Sequence, residues 1–260
     1  MVVDFFKYQG TGNDFIILDN RKGHYDQLND KQVRLMCDRH FGVGADGLMM
    51  LSDSDMSDFE MTYYNADGKS SSLCGNGSRC IVRFAEMLGI HKDTYLFKAS
   101  DGLHKAEIGP NGIVKLKMNN VNEVENHFEY YLLNTGSPHY VKPSAEVKNL
   151  NIVDLGRAIR HSHRYAKEGI NVNFVEELAS DEIFVRTYER GVENETLSCG
   201  TGVTASALIS AHNDYGFNRV EVHTPGGRLS VEFDKMDADH YKNIWLSGPA
   251  DMVYKGQISV

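Results

Sequence analysis

Two stretches of this sequence read as copies of one another: "SSSLCGNGSRCIVRFAEML" at residues 70–88 and "ETLSCGTGVTASALI" at residues 195–209. Each sets a cysteine in front of Gly-x-Gly and a helical run. The copying extends to both sides. The offset of 125 residues from Cys74 to Cys199 also carries "FKASDGLHKAEI" (97–108) onto "VHTPGGRLSVEF" (222–233), both strand, Gly turn, strand. Upstream, "DFEMTYYNADG" and "DEIFVRTYERG" alternate with period two, and Tyr64-Asn65 falls on Tyr188-Glu189 once one residue is allowed for in the second loop. Nearer the start of each half, "GTGNDFIIL" matches "NTGSPHYVK", and "FGVGADGLMML" matches "EGINVNFVEEL" more loosely. A period this long marks a duplicated domain, not a solenoid. The expected fold is α/β of the α+β type, with two homologous halves, 1–121 carrying Cys74 and 122–260 carrying Cys199. Each half is a mostly antiparallel sheet or barrel around a central helix that opens just after its cysteine. The final strand is free to pack back on the first half, and a pseudo-twofold arrangement would put the active site in the cleft.

A chain of 260 residues with 41% apolar and 24% charged residues has ample material for two cores. Its net charge of −9 leaves no basic face for phosphates, which argues against nucleic acid or an anionic membrane as partner and for a small-molecule substrate. A homodimer is compatible with the chain. "MVVDFFKYQGTGNDF" is no secretory leader and no apolar run nears spanning length, so a cytoplasmic location is expected.

The two repeated cysteines sit where a thiol is most easily ionised. The first turn of a helix exposes unpaired N–H groups and partial positive charge, which stabilise an adjacent thiolate and lower the usual cysteine pKa of about 8.5. The glycines let the backbone approach a ligand, so the same N–H groups can also hold a carboxylate. Cys80 stands where the second half has Ala205, beside Ile81, Phe84, Ala85 and Leu88, and reads as a small core residue. Cys37 shares a helical face with Val33, Met36 and His40 and reads as core too. Four scattered cysteines make no disulfide framework, and no Cys or His cluster has metal-ligand spacing, so no metal is expected. Neither "GTGND" nor "GVGADG" completes a phosphate-binding loop.

Two matched thiols facing one ligand atom from opposite sides would invert a stereocentre. A thiolate removes the α-proton from one face while a thiol delivers a proton to the other, with no prosthetic group or cofactor. The N–H groups of Gly75, Asn76 and Gly77, and of Gly200, Thr201 and Gly202, can receive the charge that develops on the substrate carboxylate, about 3 kcal/mol for an important donor.

With "GNDF", "DRHFGVGADG", "NADG…CGNGSRC", "GSPH", "YERG…ETLSCGTG" and "TPGG" along nearly its whole length, the sequence resembles the diaminopimelate epimerases. The resemblance implies interconversion of LL- and meso-2,6-diaminopimelate, without a cofactor, in lysine and cell-wall precursor biosynthesis. It implies Cys74 and Cys199 as the acid/base pair, His139 assisting the first and Glu189 the second. Asn13, Asn65, Asn171 and Arg190 would hold the distal amino and carboxylate groups, in keeping with amides that donate or accept and an arginine that grips carboxylate bidentately. Two positions depart from the pattern: Gly47 and Ser137 stand where some members carry Gln and Asn. The alternative in the same reaction class is a proline or hydroxyproline racemase-like enzyme, against which Arg190 and the asparagines argue. A thiol redox protein or redox-regulated binding module is the alternative from another class, and it leaves the duplicated Gly-x-Gly unexplained.

Overall fold

The computed structural model describes residues 1–71 and 74–260; Ser72 and Leu73, inside the first cysteine stretch, lie outside the described residues. The chain forms two compact units, residues 1–116 with 248–260, and residues 117–247.

The first unit opens with a hairpin, β1 (Val2–Gly10) and β2 (Asn13–Asp19), followed by α1 (Asp30–Cys37), β3 (Gly47–Ser52) and β4 (Phe59–Asn65). Then come α2 (Gly75–Met87), β5 (Tyr95–Ala99), β6 (Gly102–Ile108) and β7 (Val114–Lys117). Most neighbours are antiparallel, but β2–β3 and β4–β5 are parallel, and those two connections contain the helices, because parallel strands need a crossover. Asn29 starts α1 with a capping box closed by Gln32. In α2, ten of thirteen residues are buried, which makes it the central helix, with Cys80, Ile81, Phe84 and Ala85 in the core.

The second unit contains β8 (Val124–Asn126), β9 (Tyr131–Asn134), β10 (Pro138–Pro143), α3 (Ile152–Arg160), β11 (Asn171–Ala179) and β12 (Glu182–Glu189). It continues with β13 (Asn194–Thr196), α4 (Gly200–Ile209), β14 (Gly216–Thr224), β15 (Gly227–Lys235) and β16 (Tyr241–Gly248). Its parallel pairs are β10–β11 and β12–β14, bridged by α3 and α4. This is the pairing order of the first unit over again. The matched hairpins even share a turn glycine at positive φ, 130° at Gly102 and 140° at Gly227, a conformation closed to most side chains. The last strand, β17 (Asp251–Ser259), returns to the first unit and pairs antiparallel with β1.

Register sharpens the match. Phe15 opposes Gly47 and Leu48 opposes Tyr64 in the first unit, as His139 opposes Asn171 and Val172 opposes Tyr188 in the second. Asn65 and Glu189 then each end their strand.

One expectation for α1 fails. Val33, Met36 and Cys37 are buried, but the helix stops at Cys37 and His40 is exposed. The Asp38 carboxylate accepts from the backbone N–H groups of His40 and Phe41 at 2.8 and 2.9 Å, which turns the chain out of the helix.

Candidate active site

In the first unit, Cys74 is the N-cap of α2, with extended backbone and no capping bond from its side chain. A thiol is a poor cap, so the position normally given to Ser, Thr, Asn or Asp is here spent on something else. The Cys74 Sγ lies 3.6 Å from Asn13 Oδ1, in donor position, and Asn76 Nδ2 donates to the same oxygen at 3.4 Å. Asn13 can turn its oxygen to these groups because its Nδ2 donates to the Asp46 carboxylate. Asp46 is held in turn by Arg39 at 2.8 Å, and Arg39 grips Asp14 with two bonds of 2.7 and 3.0 Å. Buried Lys7 completes the cluster with an ion pair to Asp14 at 2.7 Å. Burial raises the pKa of Asp14, but the hydrogen bonds and charges of Arg39 and Lys7 outweigh it and leave the carboxyl at about 2.

Arg79, one turn into α2, is fully buried, and its partners among the described residues are all uncharged. It donates to Thr11 Oγ1 and Asn76 Oδ1 at 3.0 Å each, and to the carbonyls of Gly75 and Pro249 at 3.4 Å. Its bond to Asn76 Oδ1 sets that amide so that Nδ2 faces Asn13. Desolvation pushes the guanidinium pKa down, while the nearby Cys80 and Cys74 thiols oppose the shift.

Asn65 is exposed at the end of β4, where its carbonyl accepts from Gly68 N–H in a tight turn at 2.9 Å. Gly47 lies beside it in register, and its surroundings explain the missing side chain. A Cβ there would fall 2.5 Å from Tyr63 Cε2 and 2.6 Å from the Tyr64 carbonyl. The Tyr63 ring already fills the space.

In the second unit Cys199 is the N-cap of α4, again without a capping bond. Its Sγ lies 3.5 Å from Thr201 Oγ1, and the Thr201 carbonyl accepts from Thr135 Oγ1 at 2.8 Å. Three other candidates converge: Asn171 Nδ2 donates to Ser137 Oγ at 2.8 Å and to the Pro138 carbonyl at 3.2 Å, and its Oδ1 accepts from the Arg190 backbone at 2.9 Å. The Arg190 guanidinium reaches Ser137 Oγ at 3.4 Å and the Glu168 carbonyl at 3.0 Å. Ser137 thus links amide to guanidinium with a hydroxyl. Glu189 accepts from Thr196 Oγ1 at 2.9 Å.

His139 is wholly buried, with Nδ1 3.0 Å from Asn173 Nδ2. Burial, then the Arg190 charge, drives its pKa down to about 3, so the ring is neutral. By contrast, burial raises the thiol pKa of Cys37 to about 12 and that of Cys80 further still, which marks both as unreactive structural groups. Among the described residues no cluster of three His, Cys, Asp or Glu could hold a metal ion, and no helix is long and apolar enough to cross a membrane.

The geometry adds residues that sequence reasoning left without a role: Tyr63, Asp46, Arg39, Arg79, Asn173 and Thr187. The quoted motifs "DRHFGVGADG" and "CGNGSRC" contain three of them, Arg39, Asp46 and Arg79, and charged residues inside glycine-containing motifs were the available signal.

The family model for diaminopimelate epimerase matches residues 5–124 and 131–253. A diaminopimelate epimerase of Flavobacterium psychrophilum is 46% identical over 97% of this chain and 99% of that protein. The diaminopimelate epimerase of Chlorobaculum tepidum is 40% identical over 96% and 99%. Among solved structures, a phenazine biosynthesis protein of the PhzF family from Bacillus anthracis aligns over the whole of both chains with a TM-score of 0.74 at 15% identity. A hydroxyproline epimerase from Agrobacterium vitis aligns over 100% of this chain and 93% of that one with a TM-score of 0.69, also at 15% identity. These two likenesses concern the fold.

Proposed function

The chain belongs to the diaminopimelate epimerase family, and from that membership we propose that it interconverts LL- and meso-2,6-diaminopimelate by proton transfer between Cys74, Cys199 and one α-carbon. The observation that carries the reading is the matched pair of cysteine N-caps, each opening a glycine-rich helix and neither used to cap it. In one direction the thiolate of one cysteine takes the α-proton, the electron pair moves into the α-carboxylate, and the thiol of the other cysteine gives its proton to the opposite face. In the reverse direction the roles exchange.

Each residue has work in this scheme. The first-turn N–H groups of Gly75, Asn76, Gly200 and Thr201 receive the α-carboxylate and the charge that grows on it. Arg79 adds a fixed positive charge beneath the first turn of α2, which favours negative charge at Cys74 and on the carboxylate. Asn13, with its oxygen held toward Cys74, accepts a hydrogen bond from the thiol or from the substrate ammonium. His139 and Glu189 support the cysteines. Asn171 and Arg190, with Ser137 between them, take the distal carboxylate, and Asn65 the distal amino group. That second polar cluster favours an amino acid with two charged ends over a compact ring such as proline.

As assembly we propose a homodimer. β17 is a nine-residue strand with every residue at least partly exposed, Met252, Val253 and Tyr254 among them, and among the described residues it pairs only with β1. An open edge of this length is a template for a second chain.

The test is incubation with LL-diaminopimelate in deuterated water. The expected product is the meso form with deuterium at one α-carbon, since different groups handle the departing and arriving protons. Inert diaminopimelate together with racemised proline would hand the reading to the racemase alternative.

A further inference from the structure

Three positions that match in register differ in chemistry between the units. Where the first unit has Phe15, Met49 and Tyr63, the second has His139, Asn173 and Thr187. The first set is packing: the Phe15 and Tyr63 rings meet edge-on at 6.1 Å, and the Met49 methyl fills the space beside Gly77. The second set occupies the same seat beside Gly202, but as a buried hydrogen-bonded chain. The scaffold accepts an apolar trio there, so packing alone does not call for the polar one.

The chain has a direction. Asn173 Nδ2 lies 3.1 Å from the Tyr140 carbonyl, which can only accept, so this corner of the amide is its NH2 group. The second amide hydrogen faces His139 Nδ1 at 3.0 Å, and Asn173 Oδ1 takes the Thr187 hydroxyl hydrogen at 2.9 Å. His139 Nδ1 is therefore an acceptor, and a neutral imidazole whose Nδ1 accepts carries its hydrogen on Nε2. That Nε2 is buried with no hydrogen-bond partner among the described residues. An N–H left so is a donor waiting for an acceptor that arrives with the reaction.

We propose that Asn173, held by Tyr140 and Thr187, is a positioning residue that fixes His139 as the Nε2–H tautomer, so that His139 donates a hydrogen bond to an anion of the reaction and does not accept a proton. The anion is a thiolate or a carboxylate; only its identity rests on the epimerase reading. The low pKa of His139 agrees with a ring that stays neutral while donating.

The experiment is NMR of the enzyme labelled with 15N in histidine, with His139→Gln to assign the signal. The expected pattern is an unprotonated Nδ1 and a protonated Nε2. A protonated Nδ1 overturns the proposal outright, and the wild-type spectrum decides this even if no variant folds. Asn173→Asp places an acceptor against Nδ1, and should reverse the pattern and lower kcat by about 100-fold, the loss typical of a removed charge-stabilising donor, with little change in KM. Thr187→Val should share the loss and Thr187→Ser restore it. A reversed tautomer with kcat intact refutes the positioning role. If the Nε2–H signal moves on adding meso-diaminopimelate, the acceptor is the substrate carboxylate; if it moves instead in substrate-free Cys74→Ala or Cys199→Ala, it is the thiolate. Movement in neither arm refutes donation. An enzyme inert toward diaminopimelate but with the expected tautomer and its reversal sinks the epimerase reading and leaves the tautomer assignment standing.

Discussion

Gly77 and Gly202 are equivalent residues, each the third of its helix, and replacing them with alanine should have unequal effects. A Cβ on Gly202 would sit 2.3 Å from Asn173 Oδ1 and 3.3 Å from His139 Cε1. Asn173 cannot step aside, because bonds of 2.9, 3.0 and 3.1 Å to Thr187, His139 and Tyr140 pin it. A displacement of about 1 Å would break most of them and leave buried polar groups unpaired, at about 1–3 kcal/mol each. Alanine returns about 1 kcal/mol of helix propensity, so the net loss for Gly202→Ala is about 2–4 kcal/mol. A Cβ on Gly77 would fall 1.8 Å from the Met49 methyl, the free end of a side chain with three rotatable bonds. Overpacking of about 1–3 kcal/mol, less the same propensity gain, leaves Gly77→Ala about 0–2 kcal/mol down. At roughly 2–4 °C per kcal/mol for a chain of this size, scanning calorimetry should show Tm falling by roughly 5–15 °C for Gly202→Ala and by a few degrees for Gly77→Ala. Gly202→Ala should also blur the His139 tautomer signal. Equal Tm losses, or a Gly202→Ala protein with wild-type Tm and His139 spectrum, would refute the claim that the polar chain is rigid.

Cys74→Ala and Cys199→Ala should each abolish epimerisation, while Cys80→Ala keeps most of it; strong activity in either of the first two, in the deuterium-exchange assay, removes that cysteine from the mechanism. Asp14→Asn leaves the buried Lys7 ammonium without its counter-ion and should cost about 3–5 kcal/mol in urea unfolding. Because the folded pKa of Asp14 is depressed from 3.8 to about 2, its stabilisation is complete above about pH 4 and is lost as pH falls through 2, so wild type and Asp14→Asn should converge in acid. The depressed pKa of His139 acts in the window from 6.5 to about 3, where the unfolded chain binds a proton that the folded chain does not, so stability falls as pH drops through it and His139→Gln should flatten that slope. Gly47→Gln alone should lower stability and activity by driving a side chain into the Tyr63 ring, whereas Gly47→Gln with Tyr63→Ala should recover stability; a fully stable single variant would show that Tyr63 moves freely.

The duplication and the cysteine-led helices were legible because they live in local pattern: period-two strands, Gly turns and Gly-x-Gly after cysteine need no tertiary information. What was not legible depends on which side of a strand is covered. "INVNFVEEL" alternates Ile170, Val172 and Phe174 with Asn171, Asn173 and Val175, which by itself suggests one apolar and one partly wet face. Yet Val172 and Phe174 pack into a core cluster with Ile152 of α3, while Asn173 lies against Gly202 of α4, so both faces are buried. A polar residue on the second face must then find partners, and the chain to His139 and Thr187 is the result. His40 was misplaced for a comparable reason, since helical spacing continues through "MCDRH" but Asp38 captures the next two backbone N–H groups. The departure at Gly47 has its reason in the Tyr63 ring, a neighbour only across the strand pair and so invisible in local pattern.

A reaction that runs equally in both directions between two thiols calls for two similar seats, which a duplicated fold supplies at once. Yet the two seats must differ, since a productive pair is one thiolate with one thiol. The Cys74 seat has the buried Arg79 and an amide oxygen oriented by Asp46; the Cys199 seat has the Thr201 hydroxyl at its sulfur. A fixed cation favours negative charge nearby, whereas a hydroxyl serves a thiol or a thiolate alike by rotating its hydrogen. The substrate imposes a second asymmetry. Its reacting carbon has one carboxylate and only one long arm, so a distal grip is needed once. On the proposed reading Ser137, Asn171 and Arg190 form it in the second unit, and at the position matching Asn171 the first unit has Gly47, closed over by Tyr63. Divergence between the halves therefore falls where substrate and proton inventory are themselves lopsided, and the glycine-opened helices, which serve the symmetric part of the chemistry, remain alike.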